Sequence, residues 1–143
     1  MATKCMFCNF NEQYRIIKKY KFWTLVLADS QFILGWTHAI LNRHVCSFDE
    51  LNDKELLELK IVVKDAKLAL DRAFAPDLMN IMQLGNMASH LHIHIVPRYK
   101  ESRTFEGRTF VDKDFGKMII DRWKIEDRAF LEKLTRYLQI KIK

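Results

Sequence analysis

The sequence predicts an α+β fold built on an antiparallel sheet. Stretches rich in β-branched and aromatic residues predict strands on both sides of one long amphipathic helix, and a second helix is predicted near the C-terminus. Strands and helices do not alternate as they do in a parallel βαβ protein. The chain has 143 residues, 49% of them hydrophobic, and shows no repeat or linker. We therefore expect a single domain over residues 1–143.

Five stretches have the alternating or β-branched character of strands. Three precede the long helix and two follow it: residues 14–20, 22–28, 32–42, 78–84 and 90–96. The charged residues around Gly107 and Gly116 predict a long irregular segment over residues 100–122. Only four glycines and two prolines occur in the whole chain, so most other loops should be short.

The two helices have their own local signals. Asn52 and Glu55 have the spacing of a capping box, which predicts the start of the long helix. Pro76 ends this helix. A second helix is predicted over about residues 126–140, as an element appended to the domain. In the long helix, apolar residues recur at intervals of three and four, as on a buried face: Leu56, Leu59, Val63, Ala66 and Leu70.

Charge and composition narrow the classes of function. The net charge of +6 and the isoelectric point near 9.3 favour an anionic partner, such as nucleic acid, acidic lipid or a small polyphosphate. The basic residues form no long block, which argues against a nucleic-acid-binding arm. No run of 18 apolar residues and no N-terminal h-region is present, so we expect neither a membrane span nor secretion. A cytoplasmic protein is the expectation.

Three histidines at every second position are the main chemical feature of the chain. On a strand, His90, His92 and His94 share one face. Three imidazoles in a row need polar partners and would cost stability without a functional return. Two functional hypotheses remain. One is a metal site with imidazole ligands. The other is an imidazole nucleophile that attacks phosphorus, with a neighbouring imidazolium protonating the departing oxygen.

Two features near the histidines favour the nucleophile. Residues 80–98 contain no Asp or Glu, whereas a metal hydrolase would require a carboxylate base or ligand close by. The loop Gly85–Ser89 precedes the first histidine and consists of small or uncharged residues. Its backbone N–H groups could turn toward a phosphate, with Asn86 and Ser89 as further donors.

At these residues the sequence resembles the histidine triad (HIT) family, whose motif is His-φ-His-φ-His-φ-φ with φ apolar. Residues 90–96, HLHIHIV, match it at every position. Residues 22–25, 34–36, 43–45, 83–86 and 105–112 are similar to a prokaryotic branch labelled diadenosine tetraphosphate hydrolase-like. The resemblance covers about residues 5–120. It implies a five-stranded antiparallel sheet with two helices, usually paired as a homodimer.

The resemblance also implies roles for the triad. His92 would be the nucleophile that attacks the α-phosphorus and carries the nucleotidyl group. His94 would contact the bridging or leaving oxygen, and His90 would fix the site. The transferase branch has glutamine at the third position, so His94 favours hydrolysis over transfer.

Three positions depart from the family pattern. Trp36 stands where many members have a fourth histidine, and His38, two residues on, is the candidate to replace it in catalysis. Asn86 and Met87 stand where other members often have Gln followed by Ser or Thr, so Met87 would offer only its backbone. The ribose contact falls at Asp29 or the next residue, and Asp29 as a surface turn residue is the alternative. The expected substrate-binding residues are Asp29, Asn80, Gly85, Asn86, Met87, Ser89 and His94. A nucleoside pocket is expected from the strands around residues 25–29.

Some family members carry zinc on an N-terminal Cys-x-x-Cys and two histidines. The matching residues here are Cys5, Cys8, His44 and His90. Four protein ligands would make the zinc structural and not required for the chemistry. Two reduced cysteines packed at the sheet edge are the alternative.

The expected function is hydrolysis at the α-phosphate of a dinucleoside polyphosphate or a nucleoside phosphoramidate through a covalent nucleotidyl-histidine. Two alternatives remain open. One is a non-catalytic module that binds nucleotides or RNA ends. The other is a metal-dependent hydrolase that uses the histidines as ligands.

Overall fold

A computed structural model describes residues 5–142 of the chain. Seven strands and two α-helices are present in this range, together with short 3-10 turns at Gln13–Arg15 and Phe48–Glu50. In chain order the elements are β1 (Ile16–Lys19), β2 (Trp23–Leu27), β3 (Thr37–Leu41), α1 (Asp53–Phe74), β4 (Leu78–Met82), β5 (His92–Arg98), β6 (Arg103–Phe105), β7 (Arg108–Phe110) and α2 (Arg128–Ile142).

The main sheet has five antiparallel strands in the order β1-β2-β3-β5-β4, which confirms the predicted α+β class. Both helices lie on one face of it, because α1 contacts β2, β3 and β5 while α2 contacts α1, β1 and β2. The helix-facing side chains of β5, Ile93 and Ile95, belong to the same buried cluster as Leu134 and Leu138 of α2. The opposite face of the sheet carries the histidines.

Helix α1 begins as predicted and buries a slightly different face. The Asn52 side chain accepts from the Glu55 N–H, and the Glu55 carboxylate accepts from the Asn52 N–H. The helix ends at Phe74, and Ala75 adopts a left-handed conformation just before Pro76. Leu56 is 46% exposed, so its predicted burial is wrong. The buried residues are Glu55, Leu59, Val62, Ala66, Ala69, Leu70 and Phe74.

Two predicted segments differ from the structure. The third strand starts at Thr37 and not at Phe32, because residues 28–36 form a turn held by the Gln31 side chain. The segment after β5 is not wholly irregular, since β6 and β7 form a hairpin. Its turn, Glu106-Gly107, has positive φ at both residues, as a two-residue hairpin of type I′ requires. Among residues 5–142, neither helix combines the length and apolar character needed to cross a bilayer.

Candidate active site

Strands β3 and β5 bring three histidines together on the face of the sheet opposite the helices. His38 pairs directly with His94 across the two strands, and His92 follows on the same face of β5. The ring centroids of His38 and His94 are 4.5 Å apart, and those of His92 and His94 are 4.9 Å apart. All three side chains are buried. His90 lies just before β5, at the end of the same row.

His92 is held in one tautomer by the backbone of its own strand. Its Nδ1 lies 2.8 Å from the carbonyl oxygen of His90. Because a carbonyl only accepts, Nδ1 carries the proton and Nε2 keeps its lone pair. Within residues 5–142, Nε2 of His92 makes no hydrogen bond. Burial lowers the pKa of His92, so the ring is neutral and the free nitrogen is available as a nucleophile.

His94 is also neutral, with its proton on the other nitrogen. The indole N–H of Trp36 donates to Nδ1 of His94 over 3.1 Å, which leaves the proton on Nε2. Burial, and then the charge of His92, lowers the pKa of His94 to about 4. The imidazolium suggested by the sequence is therefore not the resting form at neutral pH.

His38, the candidate to replace the family's fourth histidine, contacts the triad from strand β3. Its Nε2 lies 3.1 Å from Nδ1 of His94. Its Nδ1 is buried and has no hydrogen-bond partner among the described residues. Burial, followed by the charges of His94 and His92, holds the pKa of His38 well below its usual value. His38 is thus a neutral ring that contacts His94 from β3.

The predicted phosphate loop is open to solvent beside the histidines. Gly85 has φ of +69°, a conformation that glycine adopts readily. Asn86 and Ser89 are exposed, and their side chains make no hydrogen bond within the described part of the chain. Met87 is 98% exposed. These polar groups are free to meet an anion.

Asn80, one of the predicted substrate-binding residues, belongs to a polar network around Arg98. Arg98 and Asp112 form a buried ion pair, with Nε of Arg98 2.7 Å from the carboxylate. Another nitrogen of Arg98 donates to the side-chain oxygen of Asn80 over 2.8 Å. That oxygen is therefore occupied, and only the amide N–H groups of Asn80 remain for a substrate. The ion pair anchors the start of residues 112–126, here called the crossing segment.

The crossing segment runs past the expected ribose contact. The backbone N–H of Glu126 donates to the Asp29 carbonyl over 2.8 Å, and that of Lys124 donates to Oγ of Ser30 over 2.8 Å. The indole N–H of Trp123 donates to the Asp29 carboxylate over 3.1 Å. Asp29 keeps one carboxylate oxygen for another partner, whereas Oγ of Ser30 is buried and already accepts a hydrogen bond.

Trp123 adds an aromatic wall that the sequence did not reveal. Its ring centroid lies 5.2 Å from that of Trp36 and 6.2 Å from that of Phe32. It is also nearly parallel to the His38 ring, at 6.2 Å. No sequence motif identifies Trp123 as a site residue, because its position depends on where the crossing segment meets Asp29.

A groove of about 600 Å³ lies along the N-terminal segment, between residues 5–12 and the start of the sheet. Phe7, Phe10, Arg15 and Asp29 are among the residues that line it. The Phe7 ring also packs against His92, with ring centroids 4.7 Å apart, so Phe7 connects the groove to the histidine row. The sequence predicted a nucleoside pocket from residues 25–29. Residues 25–27 are instead buried, and of that stretch only Asp29 lines the groove.

The four predicted zinc ligands lie together beside the triad. The candidate ligand atoms of Cys5, Cys8, His44 and His90 all lie within 4.8 Å of one another. Nδ1 of His90 is 3.3 Å from Sγ of Cys5 and 3.1 Å from Nδ1 of His44. Ligands around a tetrahedral zinc are about 3.3–3.8 Å apart for ordinary Zn–N and Zn–S lengths. The set therefore fits a structural zinc.

His90 connects this set to the nucleophile. Its Nε2 lies 2.6 Å from the Leu41 carbonyl, so Nε2 carries the proton and Nδ1 is free to bind a metal. Its carbonyl oxygen accepts from His92. Cys46 is exposed and lies outside the set, with Sγ 3.7 Å from Nε2 of His44.

The depressed histidine pKa values predict that acid destabilises the fold. The unfolded chain takes up a proton at His94 near pH 6.5, whereas the folded chain does so only near pH 4. The free energy of unfolding should therefore be highest above pH 6.5. It should fall by about 3 kcal/mol between pH 6.5 and pH 4 through His94 alone. Urea unfolding at a series of pH values measures this. His94→Gln should show a shallower fall, and an equally steep fall in that variant would contradict the assignment.

Comparisons with known proteins agree with this geometry. The family model described as HIT domain matches residues 12–101. An uncharacterized HIT-like protein of Mycoplasma genitalium is 29% identical over 76 residues, and the match spans 54% of that protein, about half its length.

Two solved structures share the fold. A hypothetical histidine triad nucleotide-binding protein from Sulfolobus tokodaii is 24% identical, with a TM-score of 0.71 over 96% of this chain and 91% of that chain. A zinc-bound histidine triad family protein from Mycobacterium smegmatis is 19% identical, with a TM-score of 0.69 over 97% of this chain and 93% of that chain. With more than half of its length matched by the family model, the chain belongs to the HIT domain family.

Proposed function

We propose that this protein is a nucleotide hydrolase that cleaves at the α-phosphate of dinucleoside polyphosphates or nucleoside phosphoramidates through a covalent nucleotidyl-His92. One observation carries the proposal. The hydrogen bond from Nδ1 of His92 to the His90 carbonyl leaves a neutral ring with an unpartnered Nε2, and this ring packs against Phe7, which lines an open groove. An imidazole so oriented is an activated nucleophile.

The reaction has two displacements. Nε2 of His92 attacks the α-phosphorus, an N–P bond forms, and the bond to the leaving group breaks with its electron pair. The developing positive charge on His92 is stabilised because Nδ1–H still donates to the His90 carbonyl. Water then attacks the same phosphorus, the N–P bond breaks, and its electron pair returns to Nε2. The proton released from the water passes to solvent.

The other residues of the site position the substrate. The backbone N–H groups of the loop Gly85–Ser89, together with the exposed side chains of Asn86 and Ser89, would contact the phosphate chain. Phe7 and Phe10 would flank the nucleoside in the groove, and the open oxygen of Asp29 would accept from a ribose hydroxyl. Nε2–H of His94 would donate to the bridging or leaving oxygen.

A zinc ion held by Cys5, Cys8, His44 and His90 would be structural in this proposal. It would supply a cross-link between the N-terminal segment and the residue that orients His92. Since four protein ligands complete a tetrahedral site, no position is left for a substrate. The bond-breaking steps belong to the histidines of β5.

A substrate assay tests the function. Incubation with diadenosine tetraphosphate should release AMP and ATP, as chromatography will show, and an AMP phosphoramidate serves as the second substrate. If both nucleotides bind and neither is cleaved, the non-catalytic binding alternative is correct. If a chelator abolishes turnover and added metal restores it while the protein remains folded, the metal-dependent alternative is correct.

We also propose that two copies pair through β4. Within the described residues β4 is an edge strand, with β5 on one side only. Leu78 and Ile81 on this strand are about half exposed, at 51% and 49%. An open apolar edge of this kind is a site for pairing with a second chain. Sedimentation should give the mass of a dimer, and Ile81→Lys should shift it to the monomer.

A further inference from the structure

We propose that Trp36 keeps His94 neutral and thereby makes the site selective for leaving groups that depart as anions. The preferred substrates are then dinucleoside polyphosphates, and nucleoside phosphoramidates are disfavoured. This inference rests on the hydrolase function proposed above and names a residue that chooses between its two substrate classes.

In the hydrogen bond between Trp36 and His94, only Trp36 can be the donor. The indole nitrogen lies 3.1 Å from Nδ1 of His94. An indole N–H donates and never accepts, whereas a histidine could do either. Nδ1 of His94 must therefore offer a lone pair. If Nδ1 of His94 carried a proton, its N–H group would face the indole N–H of Trp36 in a buried site. The hydrogen bond between the two residues would be lost, and neither N–H group would be solvated.

Trp36 is fixed too firmly to turn away from such a proton. Its side chain is buried, and its backbone oxygen accepts from the Ala28 N–H over 3.0 Å. The amide nitrogen of Gln31 donates to the same oxygen over 2.9 Å. The amide oxygen of Gln31 accepts from the N–H of Gly35 over 2.7 Å. Gly35 has φ of +91°, where a side chain would be strained, and this turn delivers the indole to His94.

The remaining neighbours of His94 do not offset this effect. Nε2 of His38 points at the same Nδ1 from 3.1 Å, so it too must donate while Trp36 is in place. That assignment leaves the lone pair of His38 on its buried, unpartnered Nδ1. His92 is the other titratable ring beside His94, and a positive charge on it repels a second one. Met82 of β4 pairs with His94 and brings no charge. No carboxylate among the described residues bonds to this ring.

A neutral His94 limits which leaving groups can depart from the phosphorus. When a phosphoanhydride bond breaks, the electron pair goes to a phosphate oxygen that is stable as an anion near pH 7. Nε2–H of His94 donates a hydrogen bond to that oxygen and keeps its proton. When a P–N bond breaks, the departing nitrogen must gain a proton, because an amide anion is far too basic to leave. An imidazolium at His94 would supply that proton, and Trp36 opposes its formation.

The first test reads the protonation of His94 without any reaction. Nitrogen-15 spectra of histidine-labelled protein should show Nδ1 of His94 unprotonated and Nε2 protonated from pH 7 down to about pH 5. Trp36→Phe removes the N–H donor and keeps an aromatic ring. In this variant His38 can change tautomer and accept, so protonation of His94 should begin at higher pH. Trp123→Phe is the matched control, because it removes an indole N–H that contacts Asp29 and should leave the His94 titration unchanged.

The second test reads substrate choice. Wild-type protein should cleave diadenosine tetraphosphate with a higher kcat/KM than an AMP phosphoramidate, and Trp36→Phe should reduce that preference by about tenfold or more. The inference is overturned if wild-type His94 carries a proton on Nδ1 at pH 7, if the phosphoramidate is preferred, or if Trp36→Phe leaves the preference unchanged. If wild-type protein cleaves neither substrate, the hydrolase function fails. The spectra still decide the protonation of His94 in that case, and they do so in wild-type protein if Trp36→Phe does not fold.

Discussion

Replacing His92 with alanine or asparagine is expected to lower kcat on diadenosine tetraphosphate by about 10⁴-fold or more, as loss of a covalent nucleophile does in other hydrolases. The reason is that Nε2 of His92 is the atom that would form the bond to phosphorus. His92→Asn is the sharper variant, because its side-chain N–H group can still donate to the His90 carbonyl that now accepts from Nδ1. Steady-state kinetics on both variants measures the effect.

Two controls separate lost chemistry from lost structure. The His92 variants should unfold at urea concentrations close to that of wild type, and they should still bind AMP. The loop and the groove that would hold the nucleotide do not depend on the His92 ring for their backbone. Turnover within tenfold of wild type in either variant would contradict the role of His92.

The second large expected effect is the loss of fold stability when zinc is removed. Purified protein should contain one zinc per chain, and Cys5→Ser with Cys8→Ser should contain none, since two of the four ligand atoms are lost. At free zinc about 1,000 times its dissociation constant, the ion would stabilise the fold by about 4 kcal/mol. For a chain of this size that is roughly 10–15 °C in Tm. Metal analysis and thermal unfolding with and without chelator measure both quantities.

Cys46→Ser is the matched control for the zinc experiment. It changes an exposed cysteine that lies beside His44 and outside the four-ligand set. This variant should keep one zinc per chain and a Tm near that of wild type. Zinc content well below one per chain in wild-type protein, or equal Tm values with and without chelator, would be incompatible with a structural zinc.

The sequence predicted the structure best where short-range patterns alone determine which side chains are buried or how an element begins. A strand with alternating apolar and histidine side chains has one arrangement that buries Ile93 and Ile95, and this places His92 and His94 on the other face. The capping box at Asn52 likewise predicted the start of α1, because both of its hydrogen bonds form within one turn. The spacing of Cys5 and Cys8 limited where a metal could bind.

Features that depend on distant parts of the chain were not predictable in the same way. Trp123 reaches the site only because the crossing segment is anchored by the buried Arg98–Asp112 pair, and ion pairs between separate segments leave no periodic signal. The exposure of Leu56 is a similar case. Glu55 is buried next to it because its carboxylate forms an ion pair with Arg43. The backbone oxygen of Glu55 also accepts a hydrogen bond from the indole N–H of Trp23. Strands β6 and β7 are three residues each, too short for an alternation to stand out.

The stereochemical course at phosphorus tests the covalent mechanism most directly. An α-phosphorothioate analogue of the dinucleoside polyphosphate, of one configuration, can be hydrolysed in oxygen-18-labelled water and the configuration of the product read by phosphorus NMR. Attack by His92 followed by attack of water inverts the phosphorus twice. Net retention of configuration at phosphorus is therefore expected. Net inversion would mean that water attacks the nucleotide directly, and it would contradict a nucleotidyl-His92 intermediate.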